Sequence, residues 1–170
     1  HLTSRRQFIT QIGTAVVLSQ HHTDAAEADP DLIAILNDTH VGAQHPADAS
    51  IPTNLRYTVA WLLAQPKQPA AVIINGDLAL RDGKPGDYEH LAKLIAPLSE
   101  AGVPLHLTMG NHDARDVFYE VLEDDLPQLS AVEARHVGIV KLKHANLFLL
   151  DSLKQTMIAP GDLGQAQGHV

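Results

Sequence analysis

Pro104-Leu105-His106-Leu107-Thr108-Met109-Gly110-Asn111-His112-Asp113 changes character at its midpoint, and that change decides the fold. Residues 104–109 form a short, mostly apolar run of the kind that makes a buried strand, whereas the next four are a glycine and three polar residues. In open α/β sheets the carboxyl ends of strands carry the chemistry. By itself the tetrapeptide reads equally well as a turn, because Gly, Asn and Asp are ordinary turn formers.

Two further stretches end the same way. Residues 32–37 run into Asp38-Thr39-His40, and residues 70–75 run into Gly76-Asp77. The first is continuously apolar, which predicts a strand buried on both faces. Helices are predicted between the strands. Thr53 or Asn54 caps one whose apolar stripe is Leu55, Val59, Leu62 and Leu63 and which stops before Pro66. The other carries Leu91, Leu94, Ile95 and Leu98 and is terminated by Gly102. Strand, helix, strand, helix, strand predicts an α/β fold on a parallel sheet. Beyond it, residues 115–124 read as an acidic helix with Val117, Phe118, Val121 and Leu122 facing the core. Residues 137–142 and 147–150 read as a hairpin or two adjacent strands, and His136 and His144, which flank the first of them, are expected to be surface or turn histidines. Residues 151–170 read as loop.

A formal net charge of -8 argues against a nucleic-acid backbone or an anionic membrane surface as partner, since both need clustered Lys and Arg. An anionic substrate then needs a local cation. With no cysteine, thiolate zinc sites and disulfides are excluded, and a metal has to be held by His, Asp, Asn or Glu. Eleven histidines against 12 Lys and Arg suit that donor set.

Ser4-Arg5-Arg6-Gln7-Phe8-Ile9, the apolar residues 12–18 and Ala26-Glu27-Ala28 follow the three-part layout of an export signal. The arginine pair resembles the twin-arginine signal, whose pattern is S-R-R-x-F-[LI]. That resemblance implies that residues 1–28 direct export of a folded protein to the periplasm or beyond, with the mature chain starting near Asp29. The apolar run holds Gly13 and Thr14 and is too short for a membrane anchor, which needs about 20 apolar residues.

With the three strands as parallel neighbours, Asp38, His40, Asp77, Asn111 and His112 converge on one sheet edge. Alternate residues point the same way, so Asp38 and His40 can address one ion, Asp77 has two oxygens with which to bridge, and Asn111 offers a neutral oxygen. D-x-H, G-D and G-N-H-[DE], each after a strand, resemble the signature of the calcineurin-like metallophosphoesterase superfamily. The resemblance implies a four-layer α/β/β/α sandwich and two divalent metal ions, Fe, Mn or Zn. Asp38 and His40 would bind the first ion, Asp77 would bridge and Asn111 would bind the second. A bridging hydroxide would attack the phosphorus of a small phosphomonoester or phosphodiester, with His112 as proton donor to the leaving oxygen and Asp113 orienting its ring. Leu150-Asp151-Ser152 and Pro160-Gly161-Asp162-Leu163 are similar to the branch of cyclic-nucleotide phosphodiesterases and related exported phosphoesterases.

The family pattern goes on to an isolated metal-binding His and then G-H-x-H, neither of which is found after Asp113; Gly168-His169-Val170 reads as a chance likeness. Residues 29–170 are therefore expected to be the N-terminal portion of such a domain, truncated after the first sheet and the start of the second, with two or three ligands missing. The alternative is an exported, non-catalytic metal-binding or interaction module on the same scaffold. A Rossmann-type nucleotide binder is disfavoured, because no G-x-G-x-x-G follows the first strand.

Overall fold

The computed structural model describes residues 27–122, 132 and 134–169. The predicted export signal thus lies almost wholly outside the described residues, as do positions 123 and 124 of the predicted third helix.

Strand β2, Gln68–Asn75, is central. Its side chains alternate between two apolar clusters, Val72 and Ile74 on one face and Ala71 and Ile73 on the other. Strands β1, Ala28–Asn37, and β3, Leu105–Leu107, flank it, and all three run parallel in the order β1-β2-β3. Pairing of β3 extends one residue each way, because Val72 N–H donates to the Pro104 carbonyl at 2.8 Å and Thr108 N–H to that of Ile74 at 3.0 Å.

Helices α1, Ser50–Leu63, and α2, Pro85–Glu100, connect the strands and cover the Val72 and Ile74 face. The stripes Leu55, Val59, Leu62 and Leu91, Leu94, Ile95, Leu98 are buried there. Helix α3, Arg115–Leu122, adds Phe118 and Leu122 to the same core. On the opposite face an antiparallel hairpin of β4, Gly138–Lys141, and β5, Asn146–Leu149, packs Val140 against Ala71 and Ile73. A helix layer, a sheet and the hairpin that starts a second sheet are therefore stacked in order. Gly102 ends α2 as expected, at φ 77 with its N–H on the Ser99 carbonyl.

Two expectations are corrected. Strand β1 is not buried on both faces: it is the sheet edge, with Leu32 44% and Ile35 54% exposed. Its long apolar run reports composition, whereas burial depends on neighbours, and among the described residues β1 has a paired strand on one side only. Helix α1 starts at Ser50, with Ala49 as a cap that makes no side-chain hydrogen bond, instead of at Thr53 or Asn54. Pro52 fits the first turn because the amide it lacks has no helical partner there.

Candidate active site at three strand ends

Asp38, His40 and Asp77 all adopt left-handed backbone, at φ 50, 43 and 45, and Gly76 before Asp77 sits at φ 67. For non-glycine residues this conformation costs about 1–2 kcal/mol each, so it persists only where surrounding bonds enforce it. Those bonds are present. His40 N–H donates to the Asp77 carbonyl and Val41 N–H to that of Leu78, both at 2.9 Å, and Val41 pairs with Ala79 beyond the turns. Both turns are thus held between two stretches of parallel pairing, one before and one after.

Polar residues just before the turns help to hold the strand ends level. Asn75 Nδ2 donates to Asn37 Oδ1 at 3.1 Å, and Thr108 Oγ1 donates to Asn75 Oδ1 at 3.1 Å. This polar rail crosses all three strands just below the turns.

The third turn is pressed against the second. A Cβ on Gly110 would collide with Asp77 Oδ1 and lie 2.5 Å from its amide nitrogen, so only glycine permits the approach. His112 N–H then donates to Asp77 Oδ1 at 2.9 Å. Asp113 is fully buried, and its carboxylate accepts from the Leu78, Ala79 and Gly110 amides and the Tyr88 hydroxyl at 2.9–3.2 Å. Tyr88 in turn accepts the Ala114 N–H at 2.9 Å. Burial raises the Asp113 pKa against the opposing pull of these donors, and burial beside Asp113 raises that of Tyr88 well above its usual range.

The hydrogen bond by which Asp113 is expected to orient the His112 ring is not made in this structure. The Asp113 carboxylate fastens the second turn to the third, and His112 Nδ1 is buried without a hydrogen-bond partner. His112 is placed instead by an edge contact with His40, ring centroids 4.9 Å apart at 81°.

Asp38, Asp77 and Asn111 line one cavity of about 310 Å³ together with Asn75 and Thr108 of the rail. His40 Nε2 approaches Asp77 Oδ2 to 3.8 Å, a separation that two donors to one ion can adopt. Among the described residues no three His, Asp or Glu side chains converge closely enough to hold an ion by themselves. The donors present, two carboxylates, an imidazole and an amide oxygen, nevertheless fit Fe, Mn or Zn as part of a coordination set, and the unpartnered His112 nitrogen beside His40 is polar capacity that the protein itself leaves unused.

The family model of the calcineurin-like phosphoesterases matches residues 32–155, which contain all three turns. The chain belongs to the calcineurin-like phosphoesterase family. It is 36% identical over 92 residues to a probable cyclic nucleotide phosphodiesterase of Rhodococcus erythropolis, covering 51% of this chain and 30% of that one. It is 31% identical over 121 residues to a cAMP/cGMP dual specificity phosphodiesterase of Mycobacterium tuberculosis, covering 66% and 37%. It is 32% identical over 103 residues to a glycerophosphodiester phosphodiesterase of Enterobacter lignolyticus, covering 59% and 36%. The chain thus spans about a third of the length of these relatives.

The chain also builds a cavity wall, mostly from residues that read as loop in the sequence. Leu150, Ser152, Leu153, Ile158 and Gly161 line the same cavity as the three turns. The wall stands on Asp151, 1% exposed, which takes a bidentate pair of bonds from Arg115 at 2.9 Å and accepts the His136 and Leu153 amides, each at 2.9 Å. The Asp151-Ser152 resemblance marked the place; nothing in the local pattern marked Arg115 as its partner.

His136 is likewise corrected from surface residue to half-buried strut. Its Nε2 donates to the Leu107 carbonyl and its Nδ1 bonds the Tyr119 hydroxyl, each at 2.9 Å. Burial is the main cause that lowers its pKa. His144 is exposed at the hairpin turn, as expected, and lies 3.1 Å from Asp31.

Proposed function

We propose that this chain contributes the strand-end half of a metal-dependent phosphoesterase site, with phosphodiesters as substrates. Asp38, His40, Asp77 and Asn111 are the proposed metal ligands, with Asp77 shared between two ions, and His112 is the proposed proton donor. The observation that carries this reading is the convergence of Asp38, Asp77 and Asn111, from the ends of three parallel strands, on one cavity. Three relatives whose names describe phosphodiesterases support the diester choice.

Divalent ions bound there would neutralise phosphate charge and acidify water near neutral pH. In a protein of net charge -8 that also supplies the cation an anionic ester needs. The chain's own residues do the rest. Rail and turns hold the ligands level, so little reorganisation is needed when charge develops. Hydrolysis joins a water oxygen to phosphorus and breaks the bond to the ester oxygen, which leaves with a proton from His112.

The test is hydrolysis of bis(p-nitrophenyl) phosphate by the full-length protein, with metal analysis of the same samples. The expected result is activity that chelation abolishes and that His112→Ala lowers about 10²–10⁴-fold at unchanged metal content. Unchanged turnover in both His112→Ala and Asp77→Ala at full loading would contradict the mechanism.

A second reading, a non-catalytic metal-binding or interaction module on this scaffold, is favoured by the lack of a self-sufficient trio of His, Asp or Glu among the described residues. It predicts no turnover in the same assay. Export by the twin-arginine route, to the periplasm or beyond, is proposed from Ser4-Arg5-Arg6-Gln7-Phe8-Ile9. Among the described residues no helix is long and apolar enough to cross a membrane.

A further inference from the structure

The cavity has two unlike sides. Residues 38–111 supply a polar floor, with Asp38, Asn75, Asp77, Thr108 and Asn111, whereas residues 150–161 supply a wall that includes Leu150 and Ile158. These two are 36% and 42% exposed and line the same cavity as the charged floor.

Isolated exposed apolar residues are ordinary on a protein surface, so exposure alone says little. Ile158 differs because its backbone is held from both ends. The loop of residues 152–162 is closed at its base by Asp162 N–H on the Ser152 carbonyl at 2.9 Å, with Gly161 packed so tightly on Ser152 that a Cβ would lie 2.9 Å from its carbonyl oxygen. At its tip the Thr156 hydroxyl donates to the Asp113 carbonyl at 2.7 Å and Met157 N–H to the Asn111 carbonyl at 2.6 Å. To present that N–H, Met157 takes φ 66, a conformation a methionine adopts only under constraint. Ile158 follows immediately. Its position is thereby referenced to Asn111, a proposed ligand, through a single hydrogen bond.

We infer that Ile158, supported by Leu150, is a specificity-determining residue: it selects phosphoesters whose organic group offers a flat apolar face, over those carrying small hydrophilic alcohols. The inference rests on the phosphoesterase reading of this site and deepens it. With phosphate on the floor, the ester group lies along the wall, where an aromatic or heteroaromatic ring covers Ile158 and Leu150 and removes apolar surface from water. A glycerol-like group covers them less and loses hydration of its hydroxyls.

The experiment compares binding of phenylphosphonate and methylphosphonate, which cannot be hydrolysed, to the manganese-loaded full-length protein by calorimetry. The wild type is expected to prefer phenylphosphonate, and Ile158→Ser to weaken that ligand about fivefold while leaving methylphosphonate unchanged. Leu150→Ser, which leaves the anchored loop untouched, is expected to reduce the same preference. Equal affinity of the wild type for the two ligands, binding of neither, or a preference that survives both substitutions overturns the inference. Failure of the phosphoesterase reading is distinguishable, because it appears as preferential phosphonate binding without hydrolysis of bis(p-nitrophenyl) phosphate.

Discussion

The backbone N–H of His112 donates to Oδ1 of Asp77 at 2.9 Å, so one oxygen of this carboxylate ties the second turn to the third while the other faces His40. The structural tie thus uses one oxygen and leaves the other for the proposed metal role. Asp77→Asn keeps an acceptor for His112 and tolerates the left-handed backbone, but it lacks the charge. Its urea midpoint should match the wild type, and manganese affinity should fall at least about 100-fold, more than the cost of losing an outer-shell partner. Asp77→Ala should add about 1–2 kcal/mol of destabilisation, from the lost acceptor and the strained backbone.

Asp113 should behave as a fastening whose loss is felt first in stability. Asp113→Ala leaves two buried amides and one part-buried amide without an acceptor, for a loss of about 3 kcal/mol or more in urea unfolding. Tyr88→Phe removes one donor to Asp113 and one acceptor for Ala114, for about 1–2 kcal/mol. A residue that acted mainly by orienting His112 would instead lower turnover with little change in the unfolding midpoint.

Gly110→Ala should displace the third turn, because its Cβ would meet both the side chain and the amide of Asp77. The expected loss is about 1–3 kcal/mol of stability, together with weaker metal binding, both read from thermal unfolding with and without manganese. Gly102→Ala provides the contrast: its Cβ would meet nothing within 4 Å, so only the left-handed backbone resists it.

Stability should also fall on mild acidification. His136, mainly through burial, and His106, through burial alone, have pKa values below the ordinary 6.5. The unfolded chain therefore binds protons first. Their contribution is fully present above pH 6.5 and is lost as pH falls from there through the depressed values. Urea midpoints at about pH 7.5 and about pH 5 should differ in that sense, and His136→Phe should flatten the difference.

Legibility in the sequence followed the range of the interaction concerned. The parallel order of the strands and the placement of Asp38, Asp77 and Asn111 at their ends were readable, because an apolar run that stops at turn-forming residues is a local signal. The edge position of β1 was not, since burial depends on what packs beside a strand. Asp113 looked like a partner for the histidine it follows, yet its acceptor oxygens were claimed by amides at positions 78 and 79, brought close only by the parallel register. Helix α1 was read from the capping letters Thr53 and Asn54, although Pro52 already suited its first turn. The wall at Ile158 had no local signature, because Met157 and Thr156 bond backbone carbonyls, which any sequence supplies.

The central claim is that the three turns hold divalent metal. Its most direct test is the manganese bound per chain by the full-length protein and its Asp38→Ala, Asp77→Asn and Asn111→Ala variants at equilibrium. The account predicts bound metal in the wild type and a loss of affinity or stoichiometry in every variant. Manganese binding that is absent from the wild type, or equal in all four proteins, would contradict it.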